Sequence, residues 1–106
     1  MASELNRTVR GALGSSGATV GPYRFRRSAT TYDTVRVMLY TPAGGAWSGT
    51  ITLQTSDPDQ NAWVNEVDGD FTSDTAYVFE PGGDCDIRWK FTTYTSGTAI
   101  GAIIGG

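Results

Sequence analysis

Oxygen-bearing side chains alternate with other residues at Asp57, Asp59 and Asn61, the spacing that begins a calcium-binding loop. The sixth position of such a loop needs glycine for its sharp turn, but here it is Ala62, and the twelfth position is Asp68 rather than glutamate. Asp and Asn side chains also close turns by accepting hydrogen bonds from the backbone. The segment therefore favours a polar hairpin turn over a metal site.

The chain has no histidine, so it lacks the commonest general base and the commonest zinc ligand. Two of the carboxylates Asp68, Asp70, Asp84 and Asp86 could form a glycosidase pair, but all four lie in or next to glycine-containing turns, which favours solvated turn acids. Cys85 is the single cysteine, and without a histidine to activate it we expect a small buried hydrophobe. We therefore predict no enzyme activity, no catalytic residues, no cofactor and no metal site.

Three tryptophans could bind a sugar or anchor a protein interface. Trp89 alternates with Ile87 and Phe91, which is typical of a core position. Trp63 is expected to cap the core beside the polar turn, and Trp47 is the best candidate for an exposed ring. Core or interface roles are favoured over sugar binding.

Charge is distributed unevenly along the chain. Most arginines precede residue 37 and most acids follow it, and the net charge is −3. Arg24 and Arg26 alternate with Tyr23 and Phe25, a mixture found on nucleic-acid surfaces, although the acidic balance argues against direct nucleic-acid binding. The split suits self-assembly or an acidic partner, and a solvated face whose arginines pair with the later acids is the alternative.

Strands must position these residues, because alternation with period two dominates the sequence. Its 106 residues are rich in glycine and β-formers, and about seven or eight short strands fit an all-β antiparallel sandwich, jelly-roll-like, in one domain. We predict an N-terminal arm over residues 1–17, with a first strand around Arg7–Leu13 as the alternative, and a sandwich over residues 18–106. A tight turn is predicted at residues 68–70, and the apolar segment Thr98–Ile104 needs strand neighbours on both sides or a partner subunit. The predicted core includes Ile51, Leu53, Trp63 and Val67.

The second half of the chain resembles small β-sandwich virion proteins of tailed bacteriophages. The resemblance rests on GTITLQTSD at Gly49–Asp57, on Trp63-Val64, on Arg88 and on TYTSGT at Thr93–Thr98. The turn after Asp57 departs from the pattern, since many such sequences have a shorter Asp-Gly turn there. Proteins of this kind decorate or cement capsids, or serve at the neck and tail.

The resemblance implies a capsid decoration (cement) protein, made in the host cytoplasm and located on the virion. It would bind the outer surface of the head and stabilise contacts between major capsid protein subunits, as a homo-oligomer (trimer or dimer). The alternatives are a neck or tail structural protein and a carbohydrate-binding module on a virion. No apolar run reaches the ~20 residues that span a bilayer, so no membrane association is expected. The residues predicted to bind the capsid or a neighbouring subunit are Leu5, Arg7, Val9, Arg10, Tyr23, Arg24, Arg26 and Trp47.

Overall fold

The computed structural model describes residues 8–26 and 34–105, which form eight strands and no helix. This confirms the all-β prediction. The strands are β1 (Thr8–Leu13), β2 (Thr19–Phe25), β3 (Val35–Tyr40), β4 (Trp47–Ser56), β5 (Trp63–Phe71), β6 (Thr75–Phe79), β7 (Cys85–Gly97) and β8 (Ala99–Gly105).

The strands pair in a nested order. The first strand pairs with the last, the second with the seventh, the third with the sixth and the fourth with the fifth, all antiparallel. The resulting sheets have the orders β1-β8-β3-β6 and β2-β7-β4-β5. A long hairpin folded over into two sheets in this way is a jelly roll, a sandwich of two Greek keys.

The core lies between the two sheets and is filled by alternate residues of each strand. Trp89 of β7 is fully buried, and its indole N–H donates a hydrogen bond to the carbonyl of Ala102 at 3.1 Å. Ile51 and Leu53 of β4 are also fully buried. These three predicted core positions are confirmed, because the period-two pattern places them all on the inner face.

The prediction for Val67 is wrong, since its side chain is 90% exposed. β5 contains a wide irregularity here: Gln54 pairs with Asn65, but Thr52 pairs with Asp70, so the residues between them leave the ladder. Asp68 has φ 58°, a left-handed conformation that turns the bulge outward. The turn signal at residues 68–70 therefore marks a bulge inside one strand, not the end of a strand.

Part of the segment predicted as an N-terminal arm, residues 1–17, forms a strand. Thr8–Leu13 forms the edge strand β1, paired with β8 along its whole length, and Val9 packs against the core. This agrees with the alternative of a first strand in this region. The predicted partner residues Leu5 and Arg7 lie outside the described residues. β8 lies between β1 and β3, as its apolar sequence predicted.

Candidate binding surfaces

The outer face of the second sheet carries polar side chains that bond to one another across the strands. We name this set the polar ladder: Thr52, Gln54, Asn65, Asp70 and Arg88. Thr52 Oγ1 donates to Asp70 Oδ1 at 2.7 Å, Arg88 Nε to Gln54 Oε1 at 2.8 Å, and Gln54 Nε2 to Asn65 Oδ1 at 2.8 Å. Thr52 and Gln54 are buried by this arrangement. The polar ladder therefore satisfies its own hydrogen bonds. The exposed hydrophobic side chains of the same sheet are Val64 and Val67, on its edge strand β5.

Trp63 lies over this ladder instead of capping the core, which corrects its prediction. The guanidinium carbon of Arg88 lies 4.1 Å from the centre of the Trp63 ring, a cation–π contact. Partial burial lowers the pKa of Arg88 from its usual value. The strand register explains the position of Trp63. Trp63 pairs with Ser56, and Ser56 lies on the opposite face of β4 from the core residues Ile51 and Leu53.

Asp86 is a buried carboxylate, 1% exposed, and not the solvated turn acid that was predicted. Its Oδ1 accepts a hydrogen bond from Arg26 Nη1 at 3.0 Å, and its Oδ2 accepts one from Gln60 Nε2 at 2.6 Å. Arg26 Nη1 also donates to the carbonyl of Cys85 at 3.0 Å. Arg26, which was predicted to bind a partner, therefore ties β2 to β7 through contacts within the chain.

Tyr23, which was also predicted to bind a partner, is buried. It is 1% exposed and lies in the core beside Phe25, whereas Arg24 between them is exposed on the outer face of β2. The strand alternates as predicted, but alternation alone did not show which of its faces a partner could reach.

The outer face of the first sheet is apolar across its strands. We name it the apolar face. Its members are Ala12, Met38, Tyr40, Ala76, Val78, Ile100, Ala102 and Ile104, of which Ala102 is fully buried and the others are partly or fully exposed. Register places Ala102, Met38 and Ala76 in one row, and in the next row Ile104 and Val78 lie on either side of β3. Val78 is 58% exposed. The outward face of an antiparallel sheet is usually polar, and a contiguous apolar surface marks an interaction site.

Arginines interrupt this apolar face at two places. Arg10 shares the row of Ala102 and Met38, and Arg36 lies between Ile104 and Val78. Both are exposed, and neither forms an ion pair within residues 8–26 and 34–105. Of the described residues predicted to bind a partner, Arg10 is the one that lies on this face, whereas Val9 points from the same strand toward the core. The residues of β3, β6 and β8 were missed, although the outward positions of β3 and the apolar sequence of β8 carried the signal.

A cleft of about 440 Å³ opens at one end of the sandwich, between the β3–β4 and β5–β6 loops. Its polar centre is Asp74, whose Oδ1 accepts hydrogen bonds from Thr41 Oγ1 at 2.8 Å and Trp47 Nε1 at 3.1 Å. Its Oδ2 accepts one from the backbone N–H of Thr41 at 3.0 Å. The Thr41 hydroxyl is the largest influence lowering the pKa of Asp74, and slight burial opposes it. Trp47 is partly exposed, at the cleft.

The remaining chemical candidates are not assembled into a site. The turn at Asp57 is closed by hydrogen bonds from the N–H of Gln60 to the Asp57 carbonyl at 2.9 Å and from the N–H of Asn61 to Asp57 Oδ1 at 2.8 Å, as a polar hairpin turn requires. Burial, aided by the charges of Asp86 and Glu66, raises the pKa of the Cys85 thiol to about 11, so it is protonated at neutral pH. Within the described parts of the chain, no three side chains of His, Cys, Asp or Glu come together as metal ligands.

Comparison with known proteins yields no relative. No family model matches the chain, and neither a curated protein nor a solved structure matches it. Residues 8–26 and 34–105 contain no helix long and apolar enough to cross a membrane.

Proposed function

We propose that this chain is a structural virion protein that decorates the outer surface of a tailed-phage head and stabilises contacts between major capsid protein subunits. The observation that carries the proposal is the contrast between the two outer faces of the sandwich. The polar ladder bonds to itself, whereas the apolar face exposes hydrophobic side chains beside two arginines that have no acidic partner in the described residues.

The apolar face suits a protein partner with a flat surface. Burial of apolar area stabilises a complex by roughly 25 cal/mol per Å² before the losses of motion on binding are subtracted. Arg10 and Arg36 would add contacts to carboxylates or carbonyl groups, and arginine is enriched at protein interfaces. On a capsid, many symmetry-related copies let modest single contacts sum to a large effect.

The jelly roll supports this proposal only by analogy, because the same fold serves in viral capsid and lectin domains. A neck or tail structural protein would have the same fold and could use the same apolar face. Copy number per virion separates the two placements: on the order of hundreds indicates the head surface, and about six or twelve the neck or tail.

The test is binding of the purified protein to undecorated capsids of the encoding phage, measured by co-sedimentation over a range of concentrations. We expect saturable binding that Val78→Asp weakens by at least about tenfold, since it places a charge in the apolar contact. Val64→Asp is the matched control, because Val64 is 56% exposed against 58% for Val78 but lies on β5 of the second sheet. The charge-matched pair is Arg36→Glu, which should weaken binding, and Arg24→Glu, which should not.

Absence of saturable binding would refute capsid decoration. Equal losses from Val78→Asp and Val64→Asp would refute the assignment of the apolar face while leaving a capsid role to another surface. Size-exclusion chromatography of the free protein tests the expected dimer or trimer separately.

A further inference from the structure

The cleft around Asp74 is separate from the apolar face that we propose to bind the capsid. Two loops form the cleft, and hydrogen bonds hold both of them in place. The β3–β4 loop closes with a hydrogen bond from the N–H of Gly45 to the carbonyl of Pro42 at 2.9 Å, and the N–H of Thr98 holds the Ala46 carbonyl at 3.2 Å. Asp74 joins this loop to the β5–β6 loop through Thr41. A cleft preformed in this way loses little freedom when a ligand binds.

Trp47 supplies the apolar wall of the cleft. Its ring packs edge-to-face against Phe91, with centroids 5.8 Å apart, and its N–H is directed to Asp74 Oδ1. These two contacts fix the orientation of the indole, and Trp47 is partly exposed and lines the cleft. Such a ring can pack against the C–H groups on the flat side of a pyranose.

The polar groups of the cleft match a ligand that carries neighbouring hydroxyl groups. A carboxylate has about four acceptor positions, and the hydrogen bonds within the described residues occupy two on Oδ1 and one on Oδ2 of Asp74. The position left on Oδ2 can accept a hydrogen bond from a sugar hydroxyl. Thr72 and Ser73, which are exposed on the same cleft, can both donate and accept.

We infer that the cleft between Trp47 and Asp74 binds a neutral pyranose sugar, with the indole against its C–H face and Asp74, Thr72 and Ser73 on its hydroxyl groups. An acidic sugar is disfavoured, because Asp74 is negatively charged at neutral pH. A quaternary ammonium ligand is the competing chemistry, but such ligands are held by cages of several aromatic rings, and Trp47 is the one aromatic residue among the described residues that line the cleft.

The test titrates the full-length protein with methyl β-glucopyranoside, methyl β-galactopyranoside and N-acetylglucosamine while the indole N–H signals are followed by NMR. We expect at least one sugar to shift the Trp47 signal with saturation. The Trp89 signal should stay in place, since that indole is buried and bonded to Ala102. Tetramethylammonium chloride and methyl glucuronide are titrated in parallel and should leave the Trp47 signal unchanged.

Substitutions of the exposed hydroxyl residues Thr72 and Ser73 distinguish a ligand-binding site from a contact that only joins the two loops. Thr72→Val and Ser73→Ala remove no hydrogen bond that joins the loops, so both variants should fold normally and bind the sugar about fivefold more weakly. Trp63→Ala removes a partly exposed tryptophan that pairs with Ser56, at the opposite end of β4 from Trp47, and should leave sugar affinity unchanged. Asp74→Asn should weaken binding and also lower the Tm, because it disturbs the fastening of the loops.

Three results would overturn the inference. The first is no sugar shifting the Trp47 signal, which would leave Asp74 a structural contact only. The second is sugar affinity unaffected by Thr72→Val and Ser73→Ala. The third is tetramethylammonium shifting the signal where the sugars do not. None of these depends on capsid binding, because the cleft and the apolar face share no residue.

Discussion

The Cys85 thiol is half-buried where β7 begins, with the carboxylates of Asp86 and Glu66 acting on it through their charge. Burial is the largest cause that raises its pKa from the ordinary 9.0 to about 11. Because alkylating reagents attack the thiolate, a rise of two pKa units lowers the reactive fraction near pH 8 by roughly a hundredfold.

We therefore expect iodoacetamide to alkylate native Cys85 about a hundredfold more slowly at pH 8 than it alkylates the same residue in the urea-unfolded chain. The rates are measured by mass spectrometry on timed samples. The unfolded chain is the control, because it has the same sequence around the thiol without the burial. Similar rates in the two states would contradict the raised pKa.

The sequence predicts single residues well where burial follows from alternation and poorly where it follows from a distant partner. Trp89, Ile51 and Leu53 are core residues as their period-two spacing indicates. Arg26 looked available for a partner because the carboxylate that holds it lies 60 residues away, in Asp86. Tyr23 was misplaced for a related reason, since the strand pattern does not reveal which face the second sheet will cover.

At the scale of elements, Asp86 joins three parts of the second sheet. It binds Arg26 at the end of β2 and Gln60 in the β4–β5 turn, and it lies itself in β7. Buried charges are held only when their partners satisfy them, and removing one partner leaves the other uncompensated.

Asp86→Ala should therefore lower the free energy of unfolding by about 3 kcal/mol. The measurement is the urea midpoint and slope followed by tryptophan fluorescence. Asp59→Ala is the control, because Asp59 is exposed in the same turn region, and a change within about 0.5 kcal/mol is expected. If the two variants lose equal stability, Asp86 does not act as a buried junction.

Element boundaries were predicted best where turn residues interrupt alternation cleanly, as at the polar turn that Asp57 closes. Asp68-Gly69 carries the same kind of signal but lies within a strand. Gly69 is needed by the bulge itself: a Cβ there would meet the Glu66 carbonyl at 2.9 Å and the Leu53 carbonyl of β4 at 3.2 Å. Local sequence carries no information about the approach to β4.

At the scale of the whole molecule, the sequence predicts a sandwich but not its strand order. Local alternation predicts where each strand lies in the sequence. It does not predict which strands pair, and the nested order pairs β1 with β8, at opposite ends of the described chain. The order also decides which outward faces become continuous. β8 lies between β1 and β3, and this placement joins Ile100 and Ile104 to Met38 as one apolar face. The sequence did not predict this apolar face for that reason, although its residues are apolar in the sequence.

Stability at alkaline pH depends on the whole fold and tests two of its half-buried groups, Tyr77 and Cys85, together. Burial is the main cause that raises the pKa of Tyr77 from 10.0 to about 12, with the charge of Glu66 adding to it, and the pKa of Cys85 is raised from 9.0 to about 11. The folded chain thus holds both protons more tightly than the unfolded chain. Between these values the unfolded state binds fewer protons, so stability falls as pH rises.

We expect the free energy of unfolding to be constant with respect to these two groups below about pH 9 and to decline from there to about pH 12, as measured by urea denaturation at intervals of one pH unit. The double variant Tyr77→Phe, Cys85→Ser carries neither titrating group, so its decline over the same range should be shallower. Comparing it with the unaltered chain at each pH subtracts the titration of Lys90 and the other tyrosines, which both proteins share. Parallel declines in the two proteins would show that the fold does not raise the pKa of either group. Both side chains would then have to be more accessible to water than the structure shows, in which the ring of Tyr77 packs against Phe71 with centroids 5.6 Å apart.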